Sequence, residues 1–510
     1  MLNWGLHRET MNPSPRRVAS VFLAIALWLA LVAGRALTRE PFTDEAWYAL
    51  PAWNLATHGS MGSPVLEPAG SPMPGMKISL KALREHTYWY MPLPTISLAA
   101  WYRLAGFSLF TTRMHTVLWM VVMLAAWYAI LRKLSGDEML AALGVVLIAT
   151  DSWLLGRTAF GRMDVMSAAF GFSGVAAYLR LRERSLSAAV IASQTLVVLA
   201  GLSHPNGGIV CGFGLLAVTL TLDARRLRWR HLGFAAVPYA AGASAMAVYA
   251  LQAPDDFISQ FLGQANGAGR FDGLRSPLKA LWREAERYAE PFGFGQTGRA
   301  KILVFGAYVF SAACVCWNGE ARRRYRPLLV LAGAAVVALT LFENLKSPHY
   351  LIYTLPIFCA LVAVAVRGVW AGHYRRIAYF AVAALICLQV GGILRLMAVR
   401  NTYAGDYLPA IRWIQANVPR QTLIMGNSTL FFELGTAQLL DDIRLGYLTG
   451  KKPGIVIVDE RYQDFFTYLR RDEPDAWRHI QHFLYDECRP IPLSATYTAY
   501  VPRTPPPHSN

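Results

Sequence analysis

Charge is what this 510-residue chain has least of, with 16% of its residues Asp, Glu, Lys or Arg. Soluble domains carry roughly 25%, so the shortage excludes an ordinary water-solvated globule. Acidic residues are the scarcer sign, 32 against 49 basic ones, for a net charge of +17. A basic surplus suits nucleic acid when it forms one stripe with interleaved aromatics. Here it is dispersed in short clusters and no binding motif accompanies it, so no nucleic-acid partner is expected. Cysteine is sparse as well, six in all. Cys211, Cys314, Cys316, Cys359 and Cys387 lie inside apolar runs, and only Cys488 lies in a polar region. No spacing among them resembles a metal site or a disulfide framework, and small apolar packing is their expected role.

What the chain has instead is apolar runs of membrane length. A hydrocarbon core needs about 20 apolar residues per helix. Such runs fall near 18–36, 111–131, 138–156, 165–182, 186–202, 206–222, 232–252, 301–317, 327–343, 349–367 and 377–397. The expected fold class is therefore an all-α polytopic membrane protein of about eleven transmembrane helices. Lys/Arg clusters follow alternate runs: Arg132–Lys133, Arg180–Arg184, Arg225–Arg230, Arg322–Arg326 and Arg367–Arg376. By the positive-inside rule these loops and residues 1–17 are cytoplasmic. The alternation holds only if the stretch 88–106, YWYMPLPTISLAAWYRLAG, does not span. Broken by Pro92 and Pro94 and rich in Trp and Tyr, it suits a helix lying at the interface.

The opposite face then receives the loops 37–110, 157–164 and 253–300, the turns near 203–206 and 344–349, and everything after about 398. Residues 18–397 read as the multispanning domain. Residues 398–510 read as a separate small α/β domain outside the membrane, with helix-like stretches at 408–417, 428–440 and 461–471. Its β-like runs are TLIM (422–425) and GIVIVD (454–459), in an order that suggests a partly parallel sheet. The tail RTPPPHSN is expected to be disordered.

The outer face also carries the reactive side chains. PFTDEAWYA places Asp44 and Glu45 just after the first helix, where a carboxylate would face a wet cavity rather than lipid. They can serve as a general base or metal ligand, or Thr43 or Asp44 can simply cap a helix. GRTAFGRMDV sets Asp164 near Arg157 and Arg162 at a helix entry. Two carboxylates on one side with arginines nearby can hold a divalent ion (Mg2+ or Mn2+) or a phosphate, or deprotonate a hydroxyl. His204 in GLSHPNGG sits at a helix end, where a cap is the commoner role. Lys346, His349 and Tyr350 in FENLKSPHY suit a phosphate at a headgroup surface, as do Lys77 and Lys81, which equally form a solvated face. Together these residues favour an enzyme acting on a lipid-embedded phosphate substrate.

At these residues the chain resembles the multispanning glycosyltransferases of the GT-C superfamily. The branch it looks most like holds the protein O-mannosyltransferases, the aminoarabinose transferases and the RgtA-like enzymes. The likeness covers roughly 18–400 and rests on Asp44–Glu45, on Tyr90–Met91–Pro92–Leu93–Pro94, on Arg113, on Asp164 and on His204–Pro205. It implies transfer of a sugar from a polyprenyl-phosphate donor to an acceptor hydroxyl of a glycan, lipid or protein, with inversion. Asp44 would be the general base, and Asp164 would hold a metal or orient an arginine. Lys346, His349 and nearby arginines would bind the carrier phosphate. Tyr90 and Met91 stand where aminoarabinose transferases tend to carry Lys, which points away from aminoarabinose. The loop 253–300 is too short for the β-trefoil insert of the mannosyltransferases. The expected location is the bacterial inner membrane, with the site and the C-terminal domain periplasmic. The alternatives are a transporter or flippase for lipid-linked sugars, which more often shows inverted repeats, and a non-enzymatic envelope assembly protein.

Overall fold

A computed structural model describes residues 15–66, 82–263, 270–293, 299–369 and 374–503. The protein is mainly helical. Ten helices fill its first half: α1 (Pro15–Thr38), α2 (Thr43–His58), α3 (Pro92–Ala105), α4 (Leu109–Ser135), α5 (Glu138–Thr150), α6 (Ser152–Thr158), α7 (Asp164–Leu181), α8 (Leu186–Ser203), α9 (Pro205–Asp223) and α10 (Trp229–Ala250). Longer helices that follow are Pro277–Phe292, Arg299–Trp317, Arg326–Phe342, Leu355–Val364 and Arg375–Val399. Local signals set the boundaries. Ser108 Oγ accepts from Thr111 N at the start of α4, and Gly136 ends that helix at φ 67°. Asp137 Oδ1 accepts from Met139 N (2.8 Å) and Leu140 N (3.2 Å) to start α5, as side-chain caps do.

All eleven apolar runs are helical, but the span count is lower than the runs suggest. Among the described residues seven helices are long and apolar enough to cross a membrane, or nine if two bent pairs each make one span. The bends explain the shortfall. Between α1 and α2 the chain turns by 97°, and between α5 and α6 by 68°. Arg326–Phe342 is apolar but shorter, and α7 carries Asp164 at its start. The stretch 88–106 is no span: Pro92 sits in the first turn of α3, and a 14-residue helix covers only about 21 Å at 1.5 Å per residue. Phe22, Leu23, Trp229, Leu232, Val237 and Phe380 point outward, as lipid-facing side chains do. The chain is a multi-pass membrane protein.

Ion pairs show which loops share an end of the bundle. Lys133 pairs with Glu183 (2.6 Å) and Arg367 with Asp137 (2.7 Å), and Arg324 donates to Ser135 O. The clusters that sequence placed on one face therefore meet at one end. Asp44, Asp164, His204 and Tyr350 meet at the other.

The C-terminal part holds a five-stranded sheet of β1 (Ile424–Gly426), β2 (Leu439–Leu440), β3 (Ile455–Val458), β4 (Cys488–Pro492) and β5 (Thr498–Pro502), in the order β2-β1-β3-β5-β4. β1 runs parallel to β2 and β3, while β5 is antiparallel to β3 and β4. Helices occupy Leu408–Asn417 and Glu460–Asp472 as expected. The stretch 428–440 differs. It forms a 3-10 turn at Ser428–Leu430 and one short turn of α-helix at Phe431–Leu434, stopped by Gly435 at φ 71°, and then enters β2. Nor is this part packed separately. Tyr407, Ile411, Ile424, Phe431 and Ile455 share one apolar core with Trp47, Leu50, Tyr90 and Leu98 of the α2–α3 region. Polar bonds tie the same seam: Asn427 Nδ2 donates to Thr43 Oγ1 (3.1 Å), and Asp441 N to Val65 O (2.8 Å). The tail at 504–510 lies outside the described residues.

Candidate active site

The 97° bend puts the start of α2 at the centre of this end of the bundle. Phe42 is the N-cap, and Glu45 at the third helical position accepts from Phe42 N (3.0 Å). Its carboxylate is then fully committed. Arg113 of α4 grips it twice, Nε to Oε1 at 2.8 Å and Nη2 to Oε2 at 2.7 Å, and Gly161 N donates to Oε1 at 2.8 Å. Arg113 spends its other donors on the carbonyls of Ala36, Arg39 and Glu40. Both side chains are 0% exposed. A Cβ on residue 161 would lie 2.8 Å from Thr112 Cγ2 and 3.3 Å from Glu45 Oε1, so the close approach requires glycine there. Sequence put Glu45 among the catalytic candidates. The structure corrects this: Glu45 fixes the bend.

Asp44, one residue earlier, points elsewhere and keeps 25% of its side chain exposed. Arg162 bridges it to Asp164, donating from Nη1 to Asp44 Oδ2 and from Nε to Asp164 Oδ2 at 2.7 Å. His204 Nε2 is 3.8 Å from Asp164 Oδ1, and Tyr350 Oη is 3.3 Å from the same His204 nitrogen. Arg270 hydrogen-bonds Tyr350. His204 does two things at once. Its Nδ1 accepts from Asn206 N (3.1 Å) and caps α9, which leaves Nε2 for the relay. A chain of six side chains, Asp44–Arg162–Asp164–His204–Tyr350–Arg270, thus crosses the end of the bundle. Behind Arg162 lies a small cavity of about 20 Å³ walled by Tyr48, Tyr90, His115 and Trp119.

Beside this relay stands a cationic pocket. Phe160 is flanked by two guanidiniums, Arg39 at 4.4 Å and Arg157 at 5.5 Å from the ring centre. Both arginines are half-buried, and among the described residues neither is ion-paired to a carboxylate. Arg157 Nη1 is buried without a hydrogen-bond partner, as is His349 Nδ1. The His349 ring lies 6.5 Å from Phe160 and is within electrostatic reach of Arg39, Arg157, Arg162 and His204. Unpaired donors gathered this way leave a place for an anion.

No family model and no curated protein matches this chain. Solved structures do. ArnT from Cupriavidus metallidurans bound to undecaprenyl phosphate superposes with a TM-score of 0.60 at 13% identity, covering 95% of this chain and 98% of that one. The Archaeoglobus fulgidus oligosaccharyltransferase complexed with Zn and sulfate gives 0.52 at 14% identity, covering 93% and 73%. The chain has the GT-C fold.

Within the GT-C fold, the sequence-derived candidates divide into three groups. Asp44, Arg162, Asp164, His204 and Tyr350 meet in the relay, with Arg157 and His349 beside it. Lys346 does not join them. Its Nζ donates to Glu284 Oε2 (2.9 Å) and Thr340 O (2.9 Å), inside a buried group completed by Arg287 and Glu343. With two cations and two carboxylates this group is balanced, which corrects the assignment of Lys346 to phosphate binding. It pins helix Pro277–Phe292 against the turn after Phe342. Lys346→Met is expected to lower stability by about 2 kcal/mol, as for a lost hydrogen bond to a charged group. Thermal unfolding of the purified protein beside wild type would show the loss. Lys77 and Lys81 lie outside the described residues.

Sequence reasoning missed Arg39 and Arg270 as named residues. Each is a single arginine, one next to Glu40 in the bend and one after the glycine-rich sequence GQANGAG, and no spacing marks either. The divalent ion meets an occupied place. The Arg162 guanidinium fills the space between Asp44 and Asp164, and among the described residues no group of three His, Cys, Asp or Glu side chains is arranged to hold a metal. The residues as they stand do not fit a metal, and no step is routed through one.

Proposed function

We propose that the protein is a membrane glycosyltransferase that moves a sugar from a polyprenyl-phosphate donor to an acceptor hydroxyl at the outer face of the bacterial inner membrane. The observation that supports it most is the placing of partly exposed Asp44 beside the unpaired Arg39–Arg157–His349 pocket, on a GT-C fold. Arg39, Arg157 and His349 hold the carrier phosphate. The prenyl chain lies in an open apolar groove of about 650 Å³ between α8, α9 and α10, lined by Val197, Leu202, Phe213 and Met246. That groove begins at Met91 and Pro205, next to His204 in the relay.

The chemistry is one displacement. Asp44 takes the proton of the acceptor hydroxyl as its oxygen bonds to the anomeric carbon from the face opposite the phosphate. The bond from that carbon to the phosphate oxygen breaks, and its electron pair leaves with the polyprenyl phosphate. The guanidiniums stabilise the charge that develops there. One base and one stabilised leaving group suffice, and the configuration inverts. A retaining route would need a second carboxylate as nucleophile. Asp164 is held by Arg162 and faced by His204, and Glu45 is committed to Arg113, so neither serves.

The test is mass spectrometry of polyprenyl-phosphate sugars in cells lacking the protein, complemented with wild type or Asp44→Asn. One lipid-linked sugar should accumulate in the null and Asp44→Asn strains alone. An identical lipid pool in all three would favour an assembly role, and accumulation cured equally by both complementing forms would favour a flippase. Treating the purified protein with EDTA is expected to leave transfer intact, since Arg162 already bridges the two carboxylates. A complete loss that Mg2+ or Mn2+ restores would restore the metal.

A further inference from the structure

A second polar cavity lies at the seam between the α1–α2 bend and the sheet domain. It is an open cleft of about 190 Å³. One wall is the bend, including Arg39, Glu40 and Thr43; the other is made by Asn427, Thr429, Asp459 and Tyr497.

Several of its polar groups lack partners. Thr429 is 2% exposed, yet its Oγ1 makes no hydrogen bond, and Thr496 Oγ1 is likewise unpaired. Among the described residues the Glu40 carboxylate accepts only from the Tyr497 hydroxyl, at 3.3 Å. Asp459 uses Oδ1 to cap helix Glu460–Asp472 through Tyr462 N (2.8 Å) and also accepts from the Asn427 side chain. Neither carboxylate is ion-paired to a cation among the described residues. Burial, with Asp406 nearby, pushes Glu40 up to about 7, and burial pushes Asp459 up to about 6. Buried hydroxyls without partners are costly, and a ligand bearing several hydroxyls can pair with them and donate to the remaining lone pairs of the two carboxylates.

We propose that this cleft is the acceptor subsite and that it takes a sugar ring, whose hydroxyls donate to Glu40 and Asp459 and pair with Thr429. The inference rests on the transferase reading and narrows its acceptor to a glycan or glycolipid. Position supports it. Thr43, the residue before Asp44, lines the cleft, so the cleft lies at the same end of the bundle as the base. Arg39 lines the cleft and also faces Phe160, so one side chain stands between acceptor and carrier phosphate. Its lining offers polar atoms to a sugar's many hydroxyls, whereas a peptide acceptor brings one hydroxyl and needs apolar pockets for its neighbours.

Saturation-transfer NMR of the purified full-length protein tests this, using methyl glycosides of glucose, galactose and mannose, and a serine-containing tripeptide. Undecaprenyl phosphate binding is measured on the same samples. At least one glycoside should give a signal that falls five-fold or more in Thr429→Val and in Glu40→Gln, but persists in Asp44→Asn. Thr429→Val keeps the shape of a side chain whose hydroxyl is already unpaired, so folding is not at risk. Undecaprenyl phosphate should bind all four proteins alike. No glycoside signal, a signal the two cleft variants leave unchanged, or a signal from the tripeptide alone would overturn the subsite. If undecaprenyl phosphate fails to bind wild type, the transferase reading falls instead.

Discussion

Asp44→Asn is expected to reduce sugar transfer by about 10²- to 10⁴-fold, the usual contribution of a positioned general base, while the protein stays folded. The substitution keeps the side chain's size and an oxygen for Arg162, so the relay to Asp164 can persist. What disappears is the second carboxylate oxygen, which can accept a proton and makes no hydrogen bond among the described residues. The contrast with Asp164 follows from burial. Asp164 is 3% exposed, with one oxygen on Arg162 and the other facing His204, so its loss should damage the positioning of several groups together. Transfer measured in proteoliposomes with a radiolabelled polyprenyl-phosphate sugar decides the matter. An Asp44→Asn protein that keeps a tenth or more of wild-type turnover would remove Asp44 from the role of base.

The second large effect concerns stability. Arg113→Met should destabilise the protein by about 3–5 kcal/mol, because it leaves the Glu45 carboxylate charged, buried and without its cation. The five donors of Arg113 join α4 to both sides of the bend, so the loss also frees the carbonyls at the end of α1. Glu45→Gln should cost less, since an amide keeps one acceptor for Gly161 N. Thermal unfolding in detergent, with wild type and both variants side by side, gives the order. A methionine variant that melts with wild type would mean the pair does not hold the bend.

How much of this was legible in the sequence depended on the strength of each signal. The bundle was readable because an apolar run of twenty residues suits little besides a helix in lipid. Basic clusters after alternate runs gave the loops their ends, and the pairing of Lys133 with Glu183 and Arg367 with Asp137 gathers those loops together. Pro92 and Pro94 were enough to keep 88–106 out of the span count. The bends at 39–42 and at Asp151 were not readable, because each interrupts an apolar pattern without ending it. Lys346 looked like a phosphate ligand since its partner Glu284 is 62 residues away, a separation that leaves no local trace. Asp44 and Glu45 are adjacent and chemically alike. Only the fold shows that helical geometry turns one toward Arg113 and the other toward Arg162. Gly435, by contrast, was a visible stop signal inside 428–440, and its left-handed backbone is the reason that stretch is not a helix.

The shared core of α2, α3 and the sheet has a consequence for how the protein is made. Asp44 is made before most of the long helices, but the side chains that seat its helix, Tyr407, Ile424, Phe431 and Ile455 among them, follow those helices in the chain. Until they are made, Trp47, Leu50 and Leu98 have no complete surface to bury against. Premature termination anywhere before the sheet would thus leave a chain with its helical spans inserted and its reactive end unassembled, a species that quality-control proteases would meet with apolar side chains exposed to water.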